Sequence, residues 1–343
     1  MGPRFKSGRR LKESMPLLKF FWMPTAVAGI CFAVVGIQAG FAALLMTVLL
    51  VILEVTLSFD NAVVNARVLQ RMSPVWQQRF LTWGILFAVF MTRAVLPILI
   101  VAASVWVSPI AIAKLAAFDP VRYGELLHDA HYVIGAFGAV FLMLVGLKYF
   151  VDDRKETHWI TAIEKYLARS GSIEAVETAV VLVLLLAAAA AVPAHALEIL
   201  VAGIVGAVTF ILVQGLASAF EVEGEEVAKA GFVLFAYLNV LDAAFSLDSV
   251  VGAFALSTNL LIIVIGLGIG AYFVRSMTVY MVQQKTLKAF IYLEHGAHYA
   301  ILGLAFAMFF GLMYDVPEPI TGLIGLAFIL AALGSSWRLR PEK

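Results

Sequence analysis

The sequence holds a single cysteine, Cys31, set in an apolar stretch, so neither an intrachain disulfide nor CxxC redox chemistry is open to it. Charge is scarce: Asp, Glu, Lys and Arg make up 14% of the residues and the net charge is +1. No strongly basic face for nucleic acid is expected from that balance. There is no GxGD motif, no zinc-protease helix motif and no Ser/His pair within one apolar run, so an intramembrane hydrolase is disfavoured and no enzymatic activity is expected. What fills the chain instead is apolar: 62% of 343 residues, with a mean hydropathy of +0.96. A soluble globule of this length cannot hide so much apolar side chain. At roughly 20 residues per crossing of the hydrocarbon, the content suits about ten spans.

Breaks between apolar runs place those spans near 18–37, 42–65, 80–105, 131–150, 176–193, 195–214, 229–252, 259–281, 297–314 and 319–336. The expected fold is therefore all-α, a polytopic transmembrane helix bundle. The basic start (MGPRFKSGRRLK) runs into the first apolar stretch without a small-residue cleavage site and reads as a retained anchor. Lys and Arg cluster in alternate connections, including Arg67, Arg71, Arg79, Lys148, Lys165, Lys285 and Lys288. The positive-inside rule then puts both termini in the cytoplasm. Segment 155–170 spaces Trp159, Ile160, Ile163 and Leu167 as an amphipathic helix on the cytoplasmic surface.

The sequence repeats itself. EVTLSFDNAVV (Glu54 to Val64) matches DAAFSLDSVVG (Asp242 to Gly252), pairing Glu54 with Asp242, Ser58 with Ser246 and Asp60 with Asp248 at an offset of 188. Gly84 and Arg93 recur as Gly266 and Arg275 at 182; His128, His131 and Tyr132 recur as His295, His298 and Tyr299 at 167; Gly146-Leu147 recurs as Gly311-Leu312 at 165. The matched spans, second and seventh, are an odd number apart and must cross in opposite senses. The expected organisation is a basic N-terminus (1–17), a first repeat (18–193, with a linker near 151–175), a second repeat (194–336) and a tail (337–343). Inverted repeats of this kind are frequent in secondary transporters, whose site lies at the repeat interface near the midplane.

Glu54, Ser58 and Asn61 fall on one helical stripe, as do Asp242, Ser246 and Ser249; Asp60 and Asp248 point off it unless the helix unwinds. A mid-bilayer carboxylate costs roughly 2.5–3.5 kcal/mol, so four such groups need partners. Arg93 and Arg275 neutralise two, leaving two negative charges to match one divalent cation or two protons. Carboxylate, amide and hydroxyl oxygens form a hard ligand set that favours Mn²⁺, Mg²⁺ or Ca²⁺ over copper. His128/His131 and His295/His298 read either as a weak metal vestibule or as interfacial anchors of helix ends. The alternative for the acids is that they only bond helices together.

At EVTLSFDN and DAAFSLDS the sequence resembles the TerC family of bacterial membrane proteins, especially its longer branch, within the LysE-type transporter superfamily. The resemblance implies export of a divalent metal ion, commonly manganese, across the cytoplasmic membrane, with Glu54, Asp60, Asn61, Asp242 and Asp248 at the matching site positions. It departs in its extra terminal spans and in Ser249 where the first motif has Asn61. The expected activity is exchange of that metal, as substrate rather than resident cofactor, for protons. Assistance in assembling or metal-loading other membrane proteins is the alternative.

Overall fold

The computed structural model describes residues 18–151, 157–170, 175–219, 227–257, 259–314, 316 and 318–339. The expected basic N-terminus, the acidic run from Glu221 to Glu226 and the last four residues lie outside that set. Every regular element among the described residues is helical. In order they are α1 (Leu18–Leu57), α2 (Phe59–Leu69), α3 (Pro74–Leu86), a π-helical stretch (Phe87–Val95), α4 (Leu96–Ser104), α5 (Pro109–Phe118), α6 (Pro120–Asp129) and α7 (His131–Val151). Next come α8 (Thr161–Ser170), α9 (Val176–Ala191), a 3-10 turn (Pro193–His195), α10 (Ala196–Ala219), α11 (Val227–Leu256), α12 (Leu260–Gln283), α13 (Thr286–Ala289), α14 (Leu293–Gly311) and α15 (Glu318–Arg338).

Helix α1 would be about 60 Å long if straight, twice the hydrocarbon thickness. It is not straight. Gly40 takes φ +86° and ψ 178°, a conformation that only glycine adopts without strain, and the chain folds back there. Both arms then lie along α12: Phe20 meets Tyr280 (ring centroids 5.4 Å) and Phe21 meets Phe273 (6.5 Å), while the returning arm seats Leu50 against Gly266 and Glu54 against Gly270.

Among the described residues, five helical stretches are long and apolar enough to cross a membrane: Phe20–Leu57, Pro74–Ser104, His131–Val151, Pro193–Gly215 and Leu260–Gln283. The centre is α7, whose Phe141, Leu142, Met143 and Leu144 are fully buried in the largest core cluster, among residues of α9, α10 and α14. Large apolar side chains such as Ile37, Phe41 and Leu197 face outward, at 75–85% exposure. In water that surface would be an aggregation hazard. The architecture fits a membrane helical bundle.

Two connections between the expected spans contain helices. Residues 106–130, between the third and fourth expected spans, contain α5 and α6. Each starts at a Pro in its first turn, behind a capping side chain: Ser108 Oγ accepts the Ala111 N–H (3.3 Å) and Asp119 Oδ1 accepts the Arg122 N–H (3.2 Å). Within the expected amphipathic segment, Thr161–Ser170 form a helix, α8, docked on the core. Trp159, Ile160 and Leu167 pack on the main core, and Glu164 is fully buried, accepting the N–H groups of Trp159 and Ile160.

Candidate functional site

The returning arm of α1 carries Glu54 to a fully buried position, where Ser58 Oγ donates to its Oε1 (3.0 Å). At Ser58 (φ −97°, ψ 15°) the helix breaks for one residue before α2 begins. The break is a kink and not an unwound turn, because Ser58 N–H still reaches the Glu54 carbonyl (2.9 Å) and Ala62 N–H the Ser58 carbonyl (3.1 Å). It places Asp60 in the first turn of α2, where helix N-termini favour anions, and Asp60 Oδ1 accepts the Asn61 N–H (2.9 Å). Asp60 is buried and has no cationic partner among the described residues.

Asn61 reaches across the repeat: its Nδ2 donates to Asp242 Oδ1 (3.0 Å) on α11. Arg93 Nη2 forms an ion pair with Glu54 Oε1, and its Nη1 lies 3.8 Å from Asp242 Oδ2. Arg275 Nη2 donates to Asp242 Oδ2 (3.2 Å) and sits 3.4 Å from Asn239 Oδ1. The order Glu54, Arg93, Asp242, Arg275 alternates in sign and sums to zero. All four are buried, and a charge at bilayer depth persists only with such partners. The structure thus brings Glu54, Asn61, Asp242, Arg93 and Arg275 into one network.

Arg93 stands within the nine-residue π-helical stretch, a rare form that often marks functional positions. There the Ala88 carbonyl accepts both Thr92 Oγ1 (2.6 Å) and Arg93 Nη1 (2.6 Å), and Arg93 Nη1 also donates to Thr92 Oγ1 (3.1 Å). Arg275 instead rises from regular α12, with its guanidinium carbon 4.3 Å from the centre of the Phe80 ring. Gly84 admits it: a Cβ there would lie 2.6 Å from Arg275 Nη1. Gly270 does the same for Glu54, whose Cβ and Cγ would be 2.6 Å from an added methyl.

The remaining expected residues divide. Ser246 Oγ donates to the Asp242 carbonyl (2.6 Å) and Ser249 Oγ to the Ser246 carbonyl (3.0 Å), so neither hydroxyl donates to a carboxylate as Ser58 does. Asp248 is on α11, one and a half turns past Asp242, and its side chain lies outside the described residues. The histidine pairs sit on α6 and α7 and on α14. His128 is exposed and stacks near His131 (5.5 Å), which leans on Tyr132 (3.9 Å). His295 and His298 are buried: His295 Nε2 bonds the Thr157 carbonyl (2.8 Å), and His298 stacks on Tyr149 (3.7 Å).

Several atoms of the network make no hydrogen bond to protein. The acceptors are Glu54 Oε2 and Asn61 Oδ1; the donors are Arg93 Nε and Arg275 Nε and Nη1. Buried polar atoms left without a partner are rare and costly. No group of three or more His, Cys, Asp or Glu side chains disposed to hold a metal forms among the described residues. A cation here would meet mixed carboxylate and amide oxygens, and it would compete with a guanidinium. Sequence reasoning missed the π-helical stretch and the role of Thr92, although the Thr92-Arg93 adjacency left a polar trace in an apolar run.

A bundle of apolar helices enclosing an alternating chain of buried acids and arginines fits a membrane helical bundle with a charged core site. The chain belongs to the family described as protein of unknown function (DUF475), whose model matches residues 59–341, more than four-fifths of the length. The match takes in Asp60, Asn61, Arg93, Asp242 and Arg275 and starts just after Glu54. No curated protein and no solved structure matches the chain.

Proposed function

We propose that this protein is a secondary transporter that exports a divalent cation, with Mn²⁺ the foremost candidate, in exchange for protons. The reading takes the chain as ten spans in two inverted repeats with both termini in the cytoplasm of a bacterial inner membrane, in line with the TerC resemblance of its acidic motifs. The observation that carries it is the single guanidinium of Arg93 placed between Glu54 and Asp242, one acid from each half. With no cargo aboard, the arginines act as stand-in cations and keep the site neutral in hydrocarbon. A divalent ion replaces those contacts, taking Glu54 Oε2 and Asn61 Oδ1, the acceptors already free of protein donors, together with Asp242. Asp60, buried without a cationic partner among the described residues, is the group that takes the counter-transported proton. Oxygen ligands of this mixed kind suit a hard divalent ion.

The test is Mn²⁺ flux against an imposed pH gradient in proteoliposomes. Wild type should exchange the two, and Glu54→Gln and Asp242→Asn should each lower the rate at least tenfold, about 1.4 kcal/mol. Cells lacking the protein should hold more manganese. Full activity of both variants, or a wild type that moves no divalent ion, sinks the proposal; stable co-purifying partners with tolerance of both substitutions would favour an assembly factor instead.

A further inference from the structure

A groove of about 760 Å³ runs between α4, α7, α10 and α11. Its walls are apolar (Met91, Leu99, Phe137, Val201, Val240), and several of these residues are 40–55% exposed along an outward face of the bundle. Polar residues occur only towards its two ends. Ser104, Trp106 and Glu198 stand at one end; Thr92 and Asn239 stand at the other. Size and lining match sites for small apolar ligands, which run roughly 300–1,000 Å³ with a few orienting polar groups.

We propose that this groove binds one acyl chain of a membrane phospholipid, drawn from the leaflet on the Trp106 side. Length selects that occupant. From Thr92 to Ser104 the chain advances roughly 15–18 Å at helical rise, about half the ~30 Å hydrocarbon thickness, so the groove is one leaflet deep. Trp106, 94% exposed, stands where interfacial tryptophans mark the headgroup level. Below that level an apolar cleft stays dry, and the rods available in hydrocarbon to fill it are lipid tails. At the upper rim the Glu198 carboxylate, 3.2 Å from His195 Nδ1, suits the ammonium of a zwitterionic headgroup. At the inner end the tail touches Thr92 and Asn239, which hydrogen-bond Arg93 and Arg275 respectively. A bound lipid therefore packs against two hydrogen-bond partners of the arginines. The inference needs only a membrane location and does not depend on the transported species.

Photoreactive lipid tests this on the full chain in phosphatidylethanolamine vesicles. A phosphatidylethanolamine with a diazirine at the tail terminus should label Met91 and Val205, and one with the diazirine near the ester should label Leu197 and Trp106. Each should exceed labelling of Leu212, 60% exposed on α10 and outside the groove lining, by at least fivefold. Val201→Trp, at a half-exposed position that tolerates bulk, should abolish the excess, whereas Leu212→Trp should not; gel filtration of both variants checks that they fold. Uniform labelling of groove and control residues overturns the proposal. So does labelling that ignores diazirine depth, or cross-linking of groove residues to a second copy of the chain in place of lipid.

Discussion

The two halves of the charged network carry matching residues on unlike backbones. Arg93 leaves a π-helical stretch and touches both acids, while Arg275 leaves a regular α-helix and touches only Asp242. Glu54 has one cation and one hydroxyl; Asp242 has two cations and the Asn61 amide. The repeat is thus an echo in sequence and an inequality in bonding. The guanidinium that reaches both acids is the one carried by the π-helical stretch. The arginine that bridges is the one whose loss leaves an acid bare.

Substitution of the arginines should break this comparison most sharply. Arg93→Ala strands Glu54 as a buried, unpaired charge and should cost about 3–5 kcal/mol, read as a loss of folded yield or of thermal midpoint in detergent. Arg275→Ala leaves Asp242 with Asn61 and Arg93, so its cost should be clearly smaller. Equal losses would mean that the two halves are energetically alike after all.

Serines of the repeat provide a finer contrast. Ser58→Ala removes a donor to a buried carboxylate and should cost about 1.5–3 kcal/mol, whereas Ser246→Ala removes a bond to a backbone carbonyl and should cost about 0.5–1.5. Thermal melts of the two variants side by side decide it; a reversed order would contradict the hydrogen bonds described.

The smallest effects belong to the histidine pairs. His128→Ala, on an exposed side chain, should stay within about 0.5 kcal/mol of wild type. Its repeat partner His295 is bonded to Thr157 and Tyr149 from a buried position, and His295→Ala should cost about 1–3. Matching melting temperatures for the two would show that the buried contacts contribute little.

Much of this was legible in the residues. Runs of 18 or more apolar residues mark helices because unpaired backbone groups are too costly in lipid, and each of the ten expected stretches is helical over most of its length. Acids and arginines stood out in those runs for the same reason: few charges survive there without a purpose or a partner. The paired starts Ser108-Pro109 and Asp119-Pro120 were readable as helix caps in the connection at 106–130. The π-helical stretch left no trace, since Phe87–Val95 composes equally well as an ordinary helix turn by turn. Thr92 likewise needed its neighbours to acquire a role.

Composition and spacing by themselves determined that the chain is a helical bundle of membrane type, and that ionisable residues recur at matched places in its two halves. Those are local matters, decided by the cost of bare backbone and of bare charge in hydrocarbon. Which guanidinium meets which carboxylate was decided only by tertiary structure. Side-chain partners 39 or 181 residues apart depend on helix register, on the fold-back at Gly40 and on the room left at Gly84 and Gly270, and none of these is written in a periodicity.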